Sequence, residues 1–435
     1  MANSDSEQLS LFLDFEDDKL TYNKIHVKHS TFLGGLSAPI HKWFRLTPSY
    51  GPDLVDIMLN EMETSQNHII LDPFSGAGTT LYQSKFNGLK SYGFEINPFL
   101  YFVCKTSITL DLDVKVLKET YEKIKAIYFE TTSSLKNLDV EEIGIPLPKI
   151  HNVFRWWRKD ILKDLLILRN AIETNIESEK VRNFFLLGIA GVLIPDLTNV
   201  TLGRLQLAFK DKSNEYMNVW ESFSKHITGM IRDVESLDES VIQTPSTVFH
   251  TDSTELNGVE IPEKIDRVVT SPPYPNRYSY VWNTRPYLYF FNIFSGPKEA
   301  GELDKKTIGG TWGTATSILE DGVIEPMYPI LEEKVWPVVE QIREKDNLMA
   351  NYVMKYFNLI AKQIVVQDPL LSNNARCAYV VGNSEIKGVY IETDKLLADI
   401  FEGLGLGYSI HKIERFRKRN SGQNLYETIV YAYKN

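Results

Sequence analysis

The chain has 435 residues, 43% hydrophobic and 24% charged, with a net charge of −10. That length supports a large core and two domains, while the acidic balance excludes a broadly basic nucleic-acid binder and confines any DNA contact to local basic patches. Cys104 and Cys377 are the only cysteines, which excludes a disulfide framework and a cysteine zinc site. No apolar run is long enough to span a bilayer, and the first residues lack the basic-then-apolar order of a secretion signal, so a soluble, cytoplasmic protein is expected.

Residues 1–34 read as a flexible N-terminal tail, with Asp14, Glu16, Asp17 and Asp18 close together. Within it, Gln8-Leu9-Ser10-Leu11-Phe12 looks like the peptide by which many bacterial replication and repair proteins dock on the sliding clamp. Two apolar anchors and a glutamine on a tether suit such a groove, and suit equally a short segment packed on the protein's own surface. His41 to Pro48 then leads into Pro52 to Leu59, where helical apolar spacing follows a proline fit for a first turn. Next, His68-Ile69-Ile70-Leu71-Asp72-Pro73-Phe74-Ser75-Gly76-Ala77-Gly78-Thr79-Thr80 reads as a strand, a glycine turn and a helix start. Glycines there let the backbone pass close to a ligand, and the helix N-terminus offers free N–H groups. The third glycine of a dinucleotide fingerprint is missing, which argues against NAD. Ser91 to Pro98 forms the next strand, ending in Glu95, an acid suited to ribose hydroxyls.

Residues 111–245 are mostly helical in pattern and read as an inserted helical domain, a candidate target-recognition domain. Its Arg155-Trp156-Trp157-Arg158-Lys159 cluster suits phosphates and a stacked ring, and suits equally an amphipathic helix edge. Val248 to Asp252 reads as a third strand ending in an acid. Val268-Val269-Thr270 then runs into Ser271-Pro272-Pro273-Tyr274. Two prolines remove ladder donors and fix the backbone, so the strand must stop in a stiff corner. That corner presents the Ser271 and Pro272 carbonyls beside the Tyr274 ring, a setting for a flat, amine-bearing ring. Arg277 follows within a further aromatic stretch. Residues 296–345 read as a loop insertion containing Gly309-Gly310-Thr311-Trp312-Gly313. A helix over 348–365, a strand over Arg376 to Ser384 and a helix over 393–403 come next. The basic run Lys412, Arg415, Arg417, Lys418 and Arg419 precedes a last strand at Ile429 to Tyr433, and is the natural phosphate-binding candidate.

The order of glycine loop, acid, second acid and Ser-Pro-Pro-Tyr corner resembles the DNA amino-methyltransferases, S-adenosylmethionine-dependent enzymes of bacteria and archaea that methylate exocyclic amines of bases. Asp72 to Thr80 is similar to that family's motif I, Glu95 falls at motif II, Asp252 at motif III, Ser271 to Tyr274 at motif IV, and the segment before the glycine loop at motif X. The Ser-Pro-Pro-Tyr form is typical of the cytosine-N4 branch, while Asp or Asn in first place is commoner in the adenine-N6 branch. The resemblance implies an α/β fold: a Rossmann-like class I methyltransferase sheet with helices on both faces, formed by 35–110 and 246–435 and interrupted by the helical insertion.

The resemblance further implies S-adenosylmethionine bound by Asp72, Phe74, Gly76, Gly78, Thr79, Glu95 and Asp252, and catalysis at Ser271, Pro272, Pro273 and Tyr274. DNA contacts are expected from Arg155, Arg158, Arg277, Arg417, Lys418 and Arg419, and no metal is required. A base inside a duplex cannot reach such a corner, so base flipping is expected. The implied partners are double-stranded DNA and a cognate restriction endonuclease, with the sliding clamp as a separate possibility at Gln8 to Phe12 and no membrane. Adenine N6 stands behind cytosine N4. An RNA or tRNA guanine-N2 methyltransferase, whose family also uses a Pro-Pro-Tyr turn, and a catalytically dead cofactor-binding protein are the other readings. The enzyme readings require Gly76 and Pro273 to open onto one rim of one sheet.

Overall fold

A computed structural model describes residues 19–23, 25, 31–203, 206–276, 278–310, 319, 320, 322–418 and 425–435. Eight strands form the main sheet: β1 (Leu20–Tyr22), β2 (Ile70–Asp72), β3 (Ser91–Glu95), β4 (Ser246–His250), β5 (Ile265–Thr270), β6 (Leu371–Gly382), β7 (Tyr408–Lys418) and β8 (Tyr426–Lys434). Their spatial order is β1-β7-β8-β6-β5-β2-β3-β4. Strands β4, β3, β2, β5 and β6 run parallel, while β8 is antiparallel to both β6 and β7. The sequence runs from β5 at the centre out to β6 on one side and from β2 to β3 and β4 on the other. Strand order therefore reverses between β2 and β5, where an open parallel sheet offers a crevice at its carboxyl edge. This is the Rossmann-like methyltransferase sheet.

The central strands are apolar on both faces because helices cover both. Alternation decides which residue goes where. Leu71, Val268, Cys377, Tyr379 and Val381 join one cluster, while Ile70, Val269, Ala378 and Val380 join the other. Helix α1 (Pro52–Glu61) covers the second face through Leu54, Val55 and Met58. Helices α2 (Thr79–Phe86) and α3 (Pro98–Ile108) follow β2 and β3. Asn97 starts α3: its side-chain oxygen accepts from the Phe99 N–H at 3.0 Å and the Leu100 N–H at 3.3 Å.

Helices α4 (Val114–Ser134), α5 (Lys159–Asn175), α6 (Glu179–Leu193) and α7 (Val219–Glu235) make up most of the helical segment. They share one apolar cluster with Trp43, with Phe99 and Val103 of α3, and with Leu288 and Phe290 of α8 (Tyr280–Phe290). The helical segment is thus bolted to the sheet through α3 and α8. Expected as a loop, the described part of 296–345 instead holds α9 (Pro297–Lys306) and short helices at Pro329–Lys334 and Trp336–Arg343. The reason is local: Pro297 opens α9, and the Glu299 carboxylate accepts from the Gly296 N–H at 2.9 Å. Helices α10 (Asn347–Gln367) and α11 (Thr393–Gly403) complete the layer over the first face. No described helix is long and apolar enough to cross a membrane.

Candidate active site

Strands β2, β3, β4 and β5 all deliver their carboxyl ends to one rim. The cavity there is lined by Phe74, Gly76 and Thr79 from the turn after β2, Glu95 from β3, Asp252 after β4, and Ser271 and Pro273 after β5. Gly76 and Pro273 therefore open onto the same space. Gly76 sits at φ 52° and Gly78 at φ 99°, left-handed values that favour glycine. A Cβ on Gly78 would stand 2.8 Å from the Cys104 sulfur. Gly78 thus serves the close packing of α2 on α3, behind the cavity wall.

Asp72 also lies behind the wall, 1% exposed. Its Oδ1 accepts from the Thr270 hydroxyl at 2.6 Å and the Phe74 N–H at 3.0 Å. Burial pushes its carboxyl up to about 6, against these hydrogen bonds. Tyr50 and Thr80 share a hydrogen bond of 2.6 Å in the same network. Asp72 thereby ties the turn after β2 to the last residue before Ser271. Glu95 faces the cavity. Its two oxygens accept from the Gly76 N–H at 2.8 Å and the Asn97 N–H at 2.7 Å, and burial pushes it up to about 8. Asp252 Oδ1 accepts from the N–H and hydroxyl of Thr254, each at 2.8 Å, which fixes the turn after β4.

A second cavity adjoins the first. Ser271, Pro48, Ser49, Tyr50 and Tyr280 line both, while Tyr274, Asn276, Tyr278, Val380, Arg417 and Glu427 line only the second. The Ser271 hydroxyl donates to the Val380 carbonyl at 3.1 Å. Its hydrogen is thereby committed, and its lone pairs remain as acceptors. Pro272 is buried and lines neither cavity. Sequence reasoning missed Tyr50, Asn97 and the Lys306–Ile308 stretch of the wall. Gly309 carried a trace of the last: at φ 82°, its Cβ position lies 3.6 Å from Pro273 Cβ, so the segment packs on the corner.

The expected DNA contacts fare differently. Trp156 and Trp157 are 5% and 0% exposed, so neither ring is available to a base. The Arg155 guanidinium sits over the Phe209 ring at 3.9 Å. Arg158 pairs with Asp160 and donates to the Glu215 carbonyl at 2.8 Å. Arg155 is exposed and lies on a short antiparallel hairpin, Val200–Leu202 with Leu207–Phe209, while the partly buried Arg158 braces the segment after it through the Lys212 and Glu215 carbonyls. The basic run is likewise taken up within the protein, because β7 lies inside the sheet between β1 and β8. Lys412 pairs with Glu414 at 3.0 Å, Arg415 with Asp394 at 2.7 Å, and Arg417 with Glu427. Arg277, Arg419, the Lys418 side chain, Thr311-Trp312-Gly313 and Gln8 to Phe12 lie outside the described residues.

No family model matches the chain. It is 22% identical to the Type II methyltransferase M.MvaI of Kocuria varians, over 80% of this chain and 77% of that protein. The resemblance to the DNA amino-methyltransferases stands. Type II methyltransferase M.AvaI of Nostoc sp. is 21% identical over 94% of this chain and 88% of its own length. Among solved structures, the rRNA methyltransferase aviRa from Streptomyces viridochromogenes covers 92% of each chain at 9% identity and a TM-score of 0.34, too loose a likeness to bear on chemistry. The donor set of the first cavity fits S-adenosylmethionine. Glu95 suits ribose hydroxyls, Gly76 lines the first cavity, and that cavity shares a wall with one lined by tyrosines.

Proposed function

We propose that the protein is a site-specific DNA methyltransferase acting on the exocyclic amine of a flipped base, cytosine N4 ahead of adenine N6. The observation that carries this reading is the pair of adjoining cavities with Ser271 in their shared wall. S-adenosylmethionine supplies an electrophilic methyl carbon when bound. Glu95, Gly76, Thr79 and Asp252 would hold it in the first cavity. Tyr274 would stack on the base in the second, with Tyr278 and Tyr280 excluding water. An exocyclic amine is a poor nucleophile because its lone pair is delocalised into the ring. Ser271, whose hydroxyl proton is already donated to Val380, would accept an amine hydrogen and favour a pyramidal nitrogen, freeing the lone pair for attack. No cysteine is needed as a nucleophile: Cys104 and Cys377 are buried, and neither lines either of these two cavities.

The names of the relatives support a restriction–modification setting, in which a partner endonuclease would cut sites that this protein protects. The segments 111–245 and 296–345 are the candidates for reading the recognition sequence. The test is incubation with methyl-labelled S-adenosylmethionine and either unmethylated genomic DNA or tRNA, followed by digestion to nucleosides. Label in N4-methylcytosine is expected. Label only in tRNA, or in neither, overturns the DNA reading, and label in N6-methyladenine moves the assignment to the second base.

A further inference from the structure

We infer that Arg417, held by Glu427, is the residue that reads the target base and selects cytosine. This inference rests on the proposed amine methylation. Arg417 arrives from β7 and Glu427 from β8, and both line the second cavity together with Ser271 and Tyr274. Glu427 takes one Nη2 donor of the guanidinium. The Nε donor is also buried and has no partner among the described residues. A guanidinium carries five N–H donors in a planar fork, so this one is anchored at one end with donors left over. A buried donor without a partner carries a cost that a ligand can relieve.

The chemistry of the bases decides what the fork fits. Next to its amine, cytosine presents two adjacent acceptors, N3 and O2. Adenine presents N1, and then a C2–H that accepts nothing. A planar pair of N–H donors is satisfied twice by cytosine and once by adenine. Ser271 would hold the amine and Arg417 the far side of the same edge. Glu427 is 9% exposed on its side chain and keeps the fork in the cavity plane instead of letting it reach for a phosphate. The site thus rejects the wrong base by leaving a buried donor unpaired, a stronger discrimination than shape alone supplies.

The experiment uses the full-length protein, unmethylated genomic DNA and methyl-labelled S-adenosylmethionine, comparing wild type with Arg417→Met, Arg417→Lys and Glu427→Gln. Arg417→Met is expected to lower kcat/KM for cytosine methylation at least about 30-fold, with cofactor affinity within about twofold of wild type; an effect of this size corresponds to one good base contact. Arg417→Lys keeps the charge but not the fork. It is expected to lose most of the activity as well, and it stands in if the methionine variant does not fold. The salt dependence of DNA binding should stay unchanged in both. A salt slope lower by about one would make Arg417 a phosphate contact and overturn the inference. Unchanged kcat/KM overturns it too, and leaves the methyltransferase reading intact. A wild type that makes N6-methyladenine overturns the choice of base. A wild type that labels no DNA at all overturns the reading beneath it.

Discussion

The carboxyl rim of the sheet and the helical segment over residues 114–235 were equally rich in suggestive residues, yet they behave in opposite ways. At the rim, Gly76, Glu95, Asp252, Ser271 and Pro273 converge on one cavity. In the helical segment, Arg155, Trp156, Trp157 and Arg158 are taken up by stacking, burial and ion pairing within the protein. The difference lies in what each signal constrains. Two prolines, or a glycine with positive φ, dictate where the backbone goes, and the strand order does the rest. An arginine or a tryptophan dictates nothing until its long-range neighbours are known, and burial is the usual fate of an indole.

Three experiments can break or sharpen that contrast. The largest effect is expected from Ser271→Ala, which removes an acceptor at the reacting amine. Single-turnover methyl transfer should fall on the order of 10²–10³-fold, the usual size for one preorganised polar group. Cofactor affinity by calorimetry should barely move. A loss of binding with transfer unchanged would return Ser271 to plain wall packing.

Glu95 gives a middle-sized effect with a defined sign. Burial pushes its carboxyl up to about 8, so below that pH the free protein holds it protonated. Ribose hydroxyls donate best to the ionised form. Cofactor affinity should therefore rise with pH up to about 8 and then level off, with a limiting slope of about tenfold per pH unit. Glu95→Gln should bind more weakly and lose that component of the slope. Identical pH profiles for the two proteins would remove Glu95 from the cofactor site.

The smallest effect belongs to the other region. Arg155→Ala with Arg158→Ala should change DNA affinity by less than about threefold and leave its salt slope unchanged, since Arg158 is paired with Asp160 and Arg155 is stacked on Phe209. The melting temperature should drop slightly, as stacking of the Arg155 kind contributes about 0.5–1 kcal/mol. A salt slope lower by about two would mean that the arginines leave their partners for phosphate, and the contrast would fail.

The sheet was legible because its apolar strands end at acids, glycines or prolines in the order that carries the resemblance to the amino-methyltransferases. The split of Leu71 and Val268 from Ile70 and Val269 follows from simple alternation. Less of the site was legible. Asp72 and Gly78 occupy the right loop but face inward: the Asp72 carboxylate bridges to Thr270 across 198 residues of chain, and that bridge has no local signature. Tyr50 and Lys306 to Ile308 reach the cavity from segments that the resemblance or their place after the corner brought near the site, but nothing in their local sequence singles out these side chains. Arg417 was visible as a cation. Its partner Glu427 sits on the neighbouring strand, so only the register of β7 with β8 reveals that the charge points into a cavity and not along a phosphate rail.

Strand β1 is three residues long, yet it runs parallel along the middle of β7, with Leu20 opposite Ile413 and Tyr22 opposite Arg415. It is the guard rail of the sheet. Without it, Ile413, Glu414 and Arg415 at the middle of β7 would lose their edge partner, and an unpaired edge is the form of β-structure most prone to recruit a second chain. Trimming the N-terminal region past Tyr22 would therefore raise the aggregation hazard; a cut that ends before Lys19 keeps the β1 pairing.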